Sequence, residues 1–86
     1  MIVRLRAIGP LAEALGGGRL EIDVGEGCCA GDLLDRLVRD RPPAAPYLGR
    51  SGNRPVSMFR ASLRLDEGDR LNAGDEVHLV VTVAGG

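Results

Sequence analysis

The 86 residues carry 11 basic and 12 acidic side chains spread along the chain, for a net charge of −1, which leaves no electrostatic footprint for nucleic acid or an anionic membrane. A chain of this length forms one small domain burying about 60 to 65% of its unfolded surface, so a deep enclosed active site is not expected. The longest apolar stretch, residues 77–84, is interrupted by His78 and Thr82 and falls far short of the roughly 20 residues of a spanning helix. With no basic and apolar leader ahead of it, the chain is expected to be soluble and cytoplasmic.

Residues 2–8 alternate, with Val3, Leu5 and Ala7 on one side and Arg4 and Arg6 on the other, the period-2 signature of a half-buried strand. Pro10 suits a first helical position ahead of Leu11-Ala12-Glu13-Ala14-Leu15, and Gly16-Gly17-Gly18 stops the turn or short helix that forms there. Residues 19–24 alternate again, Leu20, Ile22 and Val24 opposing Arg19, Glu21 and Asp23, which predicts a second strand antiparallel to the first.

From Ala30 the period becomes helical. Leu33, Leu34, Leu37 and Val38 form one apolar stripe, and Asp32, Asp35, Arg36 and Arg39 take the other face. Asp32 in the first turn and Arg39 and Arg41 near the end suit the helix dipole, and Pro42-Pro43 forbids continuation. Residues 44–55, rich in Pro, Gly, Ser, Asn and Arg, read as a surface loop and as the part most prone to disorder.

Residues 56–59 and 63–65 are short strand candidates, followed by two turn-rich stretches and a last strand over residues 76–83, with Val77, Leu79, Val81 and Val83 on the core side. One helix crossing a mixed sheet of about five strands, with one further short helix, is an α+β arrangement of the β-grasp kind, in which the first and last strands lie side by side in the centre. It occupies one domain, residues 1–86, with residues 82–86 as a flexible tail.

All 11 basic residues are arginine, so no side-chain amine exists to accept an isopeptide bond. That leaves only the α-amine of Met1. Cys28 and Cys29 are adjacent, which disfavours a disulfide framework, and they lack the further ligands of a zinc site. They read as reduced thiols. The single histidine, His78, falls on the strand phase opposite to Val77 and Leu79 and is expected to face solvent.

The chain ends Val83-Ala84-Gly85-Gly86 directly after an apolar strand. Neither terminal glycine has a Cβ, so the last two units can take nearly any backbone conformation and pass through a channel only as wide as bare backbone. Such a tail suits delivery of its carboxyl group into another protein's active site, with Gly86 as the reacting residue and Thr82, Val83, Ala84 and Gly85 as the stretch a partner would grip.

Three stretches together resemble the MoaD/ThiS family of small ubiquitin-like sulfur carriers. They are Leu5-Arg6-Ala7-Ile8-Gly9-Pro10-Leu11-Ala12-Glu13-Ala14-Leu15-Gly16, then Ala30-Gly31-Asp32-Leu33-Leu34-Asp35-Arg36-Leu37, and then Leu71-Asn72-Ala73-Gly74-Asp75-Glu76-Val77 at fixed distance from the terminal Gly86. The resemblance spans nearly the whole chain. It implies a ubiquitin-like β-grasp fold and a carrier with no catalytic group of its own. An ATP-using adenylating enzyme of the ubiquitin-activating type would convert the Gly86 carboxyl to an acyl-adenylate, and sulfur would displace AMP to leave a thiocarboxylate.

The resemblance further implies a large catalytic subunit of the molybdopterin synthase type as sulfur acceptor. Cysteine, thiamin or secondary-metabolite biosynthesis are alternatives. The sheet face away from the helix is expected to dock these partners, with no cofactor, metal, nucleic acid or membrane bound by the chain itself. Two other functions fit the residues: a modifier joined through Gly86 to lysines of target proteins, and a β-grasp interaction module in which the Gly-Gly ending plays no part.

Overall fold

The computed structural model describes residues 1–81; residues 82–86, which include the expected end of the last strand and the tail, lie outside them. Five strands form one mixed sheet: β1 (Ile2–Arg6), β2 (Arg19–Asp23), β3 (Val56–Arg60), β4 (Leu63–Leu65) and β5 (Glu76–Val81), in the spatial order β2-β1-β5-β3-β4. The first and last strands are parallel neighbours, with Arg4 opposite Glu76, Leu5 opposite Val77 and Arg6 opposite His78. β1 with β2, β3 with β5 and β3 with β4 are antiparallel. This is the β-grasp arrangement that the periodicities predicted.

One face of the sheet is covered by α2 (Ala30–Asp40), whose Leu33, Leu34 and Leu37 are fully buried in a cluster with Val3, Leu5, Met58, Val77 and Leu79. Each of these leucines contributes about 1.5–3 kcal/mol by leaving water. The short helix α1 (Gly9–Leu15) closes one end of the core with Leu11 and Leu15, and Gly16, at φ 85°, turns the chain out of it. That left-handed conformation is one an L side chain rarely adopts, which is why a glycine ends this helix.

The loop predicted over residues 44–55 needs correction. Pro42–Ala44 forms a 3-10 turn and Ala45–Leu48 a single helical turn, α3, and both Ala44 and Leu48 are completely buried. The prolines stop α2 but sit in the first positions of these two short helical turns, where the missing N–H costs nothing. Irregular chain begins only at Gly49.

Beyond it, Arg54 holds the segment down. Its side chain is 5% exposed and donates to Asp35 Oδ1 at 2.7 Å, to Glu67 Oε1 at 2.6 Å and to the carbonyls of Leu48, Gly49 and Gly31 at 3.3 Å each. The N-terminus of α2 is also stitched to the β4–β5 connection, through Ala30 N–H to Asp69 O at 2.8 Å and Gly31 N–H to Glu67 O at 2.9 Å. A Cβ on Gly31 would lie 3.1 Å from the Glu67 side chain, so this close approach depends on glycine.

Candidate functional site

The stretch at residues 71–77 sets where β5 begins. Asn72 N–H donates to Asp75 Oδ2 at 2.7 Å and Asp75 N–H returns to Asn72 O at 3.0 Å, a tight turn passing through Gly74 at φ 83°. Arg60 Nη1 donates to the same Asp75 oxygen at 2.8 Å and ties the turn to the end of β3. Gly74 N–H then bonds Ile2 O, and Arg4 N–H bonds Asp75 O, both at 2.8 Å. The turn thus fixes the register of β5 on β1, and with it the place from which the last residues leave the sheet.

The face of the sheet opposite α2 is open. One row of side chains crosses all five strands: Arg19, Arg6, His78, Phe59 and Arg64, each directly opposite the next. In the neighbouring row Arg4 sits between Glu21 and Glu76. His78 Nε2 lies 2.8 Å from Glu76 Oε1, and the Arg6 guanidinium lies 3.9 Å from the same oxygen. The His78 contact, helped by Arg6 and Arg4, holds the Glu76 carboxyl below the usual carboxylate range. His78 is 49% exposed, as its strand phase predicted.

Apolar side chains gather where β5 ends. Ile8 is 80% exposed and Val80 45% exposed. Two shallow grooves run along this strand end, one lined by Ala7, Ile8, His78 and Val80, the other by Phe59, Ala61, Ser62, His78 and Val80. Sequence reasoning did not single out this patch, although the signal was present: Ile8, two residues past β1 and capping α1, continues the phase of Arg4 and Arg6, and Val80 shares that of His78, so each is an apolar residue in a polar phase.

The expected site residues Thr82, Val83, Ala84, Gly85 and Gly86 lie outside the described residues; the chain reaches them from Val81, beside this patch. Cys28 and Cys29 are both free thiols. Cys29 caps α2, its N–H donating to Asp32 Oδ2 at 3.4 Å. Burial, then the Asp32 carboxylate, pushes the Cys28 thiol up, which keeps it protonated and a poor nucleophile. Among the described residues no group of three or more His, Cys, Asp or Glu side chains could hold a metal ion, and no helix is long and apolar enough to cross a membrane.

No family model matches the chain, and no curated protein matches it in sequence. Solved structures do. The chain is similar to the small archaeal modifier protein SAMP1 of Haloferax volcanii, at 28% identity over 100% of both chains with a TM-score of 0.83. It shares its fold with a putative molybdopterin converting factor subunit 1 from Pyrococcus furiosus, at 17% identity over 96% of this chain and 99% of that one with a TM-score of 0.81. The same fold occurs in a complex of subunits 1 and 2 of the molybdopterin-converting factor from Helicobacter pylori 26695, at 20% identity over 100% of both chains with a TM-score of 0.65.

Proposed function

Taking the chain as a ubiquitin-like β-grasp protein of the MoaD/ThiS type, we propose that it is a sulfur carrier whose C-terminal Gly86 is adenylated by a partner enzyme using ATP and converted to a thiocarboxylate. A carboxylate is a poor electrophile, and adenylation supplies AMP as a leaving group for a sulfur nucleophile to displace. The carrier contributes placement. Its sheet face docks on the partner, and residues 82–86 carry the reacting carbon inward, so the entropy of bringing two reactants together is met by protein docking.

The observation that carries this reading is the full-length likeness to SAMP1 together with an exposed apolar patch at the end of β5, where the Gly-Gly residues follow. Ile8, Val80 and Phe59 give a partner an apolar centre, and Arg6, Arg19, His78 and Glu76 give it a charged surround. For the sulfur acceptor, the H. pylori complex of two molybdopterin-converting factor subunits supports a large catalytic subunit of that kind and a role in molybdenum cofactor biosynthesis.

Intact-mass measurement after expression beside the cognate adenylating enzyme, with ATP and a sulfur source, tests the carrier reading. Replacement of one oxygen by sulfur, lost when Gly86 is deleted, is the expected result. An unchanged mass without AMP release would overturn it. A second reading, a protein modifier joined through Gly86 to target lysines, is favoured by the name of SAMP1. A ladder of conjugates in cell extract that disappears with Gly86 would select it.

A further inference from the structure

We infer that this chain is an acyl donor only: it can give its C-terminal carboxyl group to another molecule, but its single amine is held where a second activated copy forms an amide on it poorly and its own tail cannot reach it. The inference rests on the reading that Gly86 becomes activated. Three observations carry it.

The first is chemical. All 11 cationic side chains are guanidinium groups, which stay protonated and do not acylate at neutral pH. The α-amine of Met1 is then the one amine in the 86 residues.

The second is local. The Met1 nitrogen donates to Asp23 Oδ1 at 2.9 Å and to Val24 O at 2.7 Å. The Met1 side chain packs against the core and is 7% exposed. Val24 N–H bonds back to Met1 O at 2.8 Å. An acylated nitrogen keeps one N–H and no charge, so forming the amide gives up the ion pair with Asp23 and at least one of the two donor contacts, beside a methionine packed on the core.

The third is topological. β1 and β5 are parallel, with Arg4 beside Glu76, so Met1 and Val81 sit at opposite ends of the sheet. Eight residue positions separate them along the strand direction, about 26 Å. Whatever path residues 82–86 take, five residues span at most about 18 Å. Gly86 therefore cannot reach the amine of its own chain while the fold is intact.

A reactive carboxyl derivative would otherwise be consumed by the protein's own amines. Here it is kept for outside nucleophiles, and any conjugate formed through Gly86 ends at one copy.

The test uses the full chain with Gly86 prepared chemically as an alkyl thioester, which bypasses every activating enzyme. In self-acylation the amine nitrogen bonds to the acyl carbon, the C–S bond breaks, and the thiolate leaves with the proton shed by nitrogen. The thioester is held near pH 8 with excess thiol, which reverses any exchange onto Cys28 or Cys29, and is followed by intact mass and denaturing gel. The wild-type protein is expected to give only the hydrolysed acid, while added hydroxylamine captures the acyl group.

Asp23→Ala, which removes the ion pair, is expected to bring amide formation at Met1 between molecules to about ten times the detection limit that the wild type does not reach. Arg39→Lys, on the exposed face of α2, is expected to create thiol-stable dimers. Covalent dimers or rings of the wild-type chain, mapped to Met1 and formed as fast as the acylation of a Met-Ile dipeptide, would overturn the inference. If the thioester behaves as expected yet no adenylating enzyme loads Gly86, the carrier reading fails and the donor-only property stands.

Discussion

Arg54 Nε lies 2.6 Å from Glu67 Oε1, and this contact joins the irregular segment before β3 to the connection between β4 and β5. Five acceptors from three parts of the chain converge on that one guanidinium. Replacing it orphans carbonyls that water reaches poorly. Arg54→Ala is expected to lower stability by about 2–4 kcal/mol in urea denaturation. Arg54→Lys should recover only a minor part, because an ammonium cannot reproduce the planar fork; full recovery would show that charge alone suffices.

The same pair makes stability depend on acid. The Arg54 hydrogen bond and the Gly52 N–H, which donates at 3.1 Å, hold the Glu67 carboxyl below its ordinary range. A depressed folded-state pKa means that the stabilisation is complete above the unfolded pKa, about 4.3, and is lost as pH falls through the lower, folded value. The urea midpoint of the wild type should therefore drop below about pH 5 more steeply than that of Glu67→Gln. Parallel pH profiles for the two proteins would remove Glu67 from this role.

The β3–β4 hairpin turns through Ala61 and Ser62, at φ 51° and 67°. Two-residue turns of this hand favour Asn and Gly, because a Cβ is strained there. The double substitution Ala61→Asn, Ser62→Gly should raise stability by about 1–2 kcal/mol. A thermal melt checks it.

Leu48, fully buried on the single turn of α3, should behave as a core residue. Leu48→Ala is expected to cost about 2–4 kcal/mol. A cost below about 1 kcal/mol, the size typical of a surface loop, would contradict its place in the core.

At the end of β5 the expectation reverses. Ile8→Asp and Val80→Asp change exposed positions and should leave the melting temperature nearly unchanged. If the chain is the carrier proposed above, each should raise the KM of an adenylating enzyme for it about tenfold or more. Unchanged kinetics in both variants would place docking elsewhere on the domain.

The three longer strands and α2 were legible because their residues repeat at 2.0 and 3.6, periods that survive wherever one face is buried and the other wet, while α1 was read from Pro10 and the glycines that stop it. Adjacency of the first and last strands followed from one helix crossing the sheet. Residues 42–48 were misread because Pro42, Pro43 and Pro46 look like breakers, although the i, i+4 spacing of Ala44 and Leu48 was that of a helical face. Arg54 left no signal: a lone arginine among glycine, serine and asparagine has no period, and its burial depends on Asp35 and Glu67, far away in sequence. The apolar patch was half-legible, since Val80 breaks the polar phase of β5 and Ile8 breaks the one that runs on from β1, but only the sheet order brings them to one strand end.

The parallel pairing of β1 with β5 also has a mechanical side. A pull between Met1 and Val81 tries to slide one central strand along the other, and the evenly spaced hydrogen bonds of the pair must then stretch together. A pull across the open end of the β3–β4 hairpin would instead break its bonds one after another. A partner drawing on the last residues of this chain would therefore load the domain in shear along its central pair, with β1 braced on its far side by β2, and the body would behave as a fixed handle against that traction.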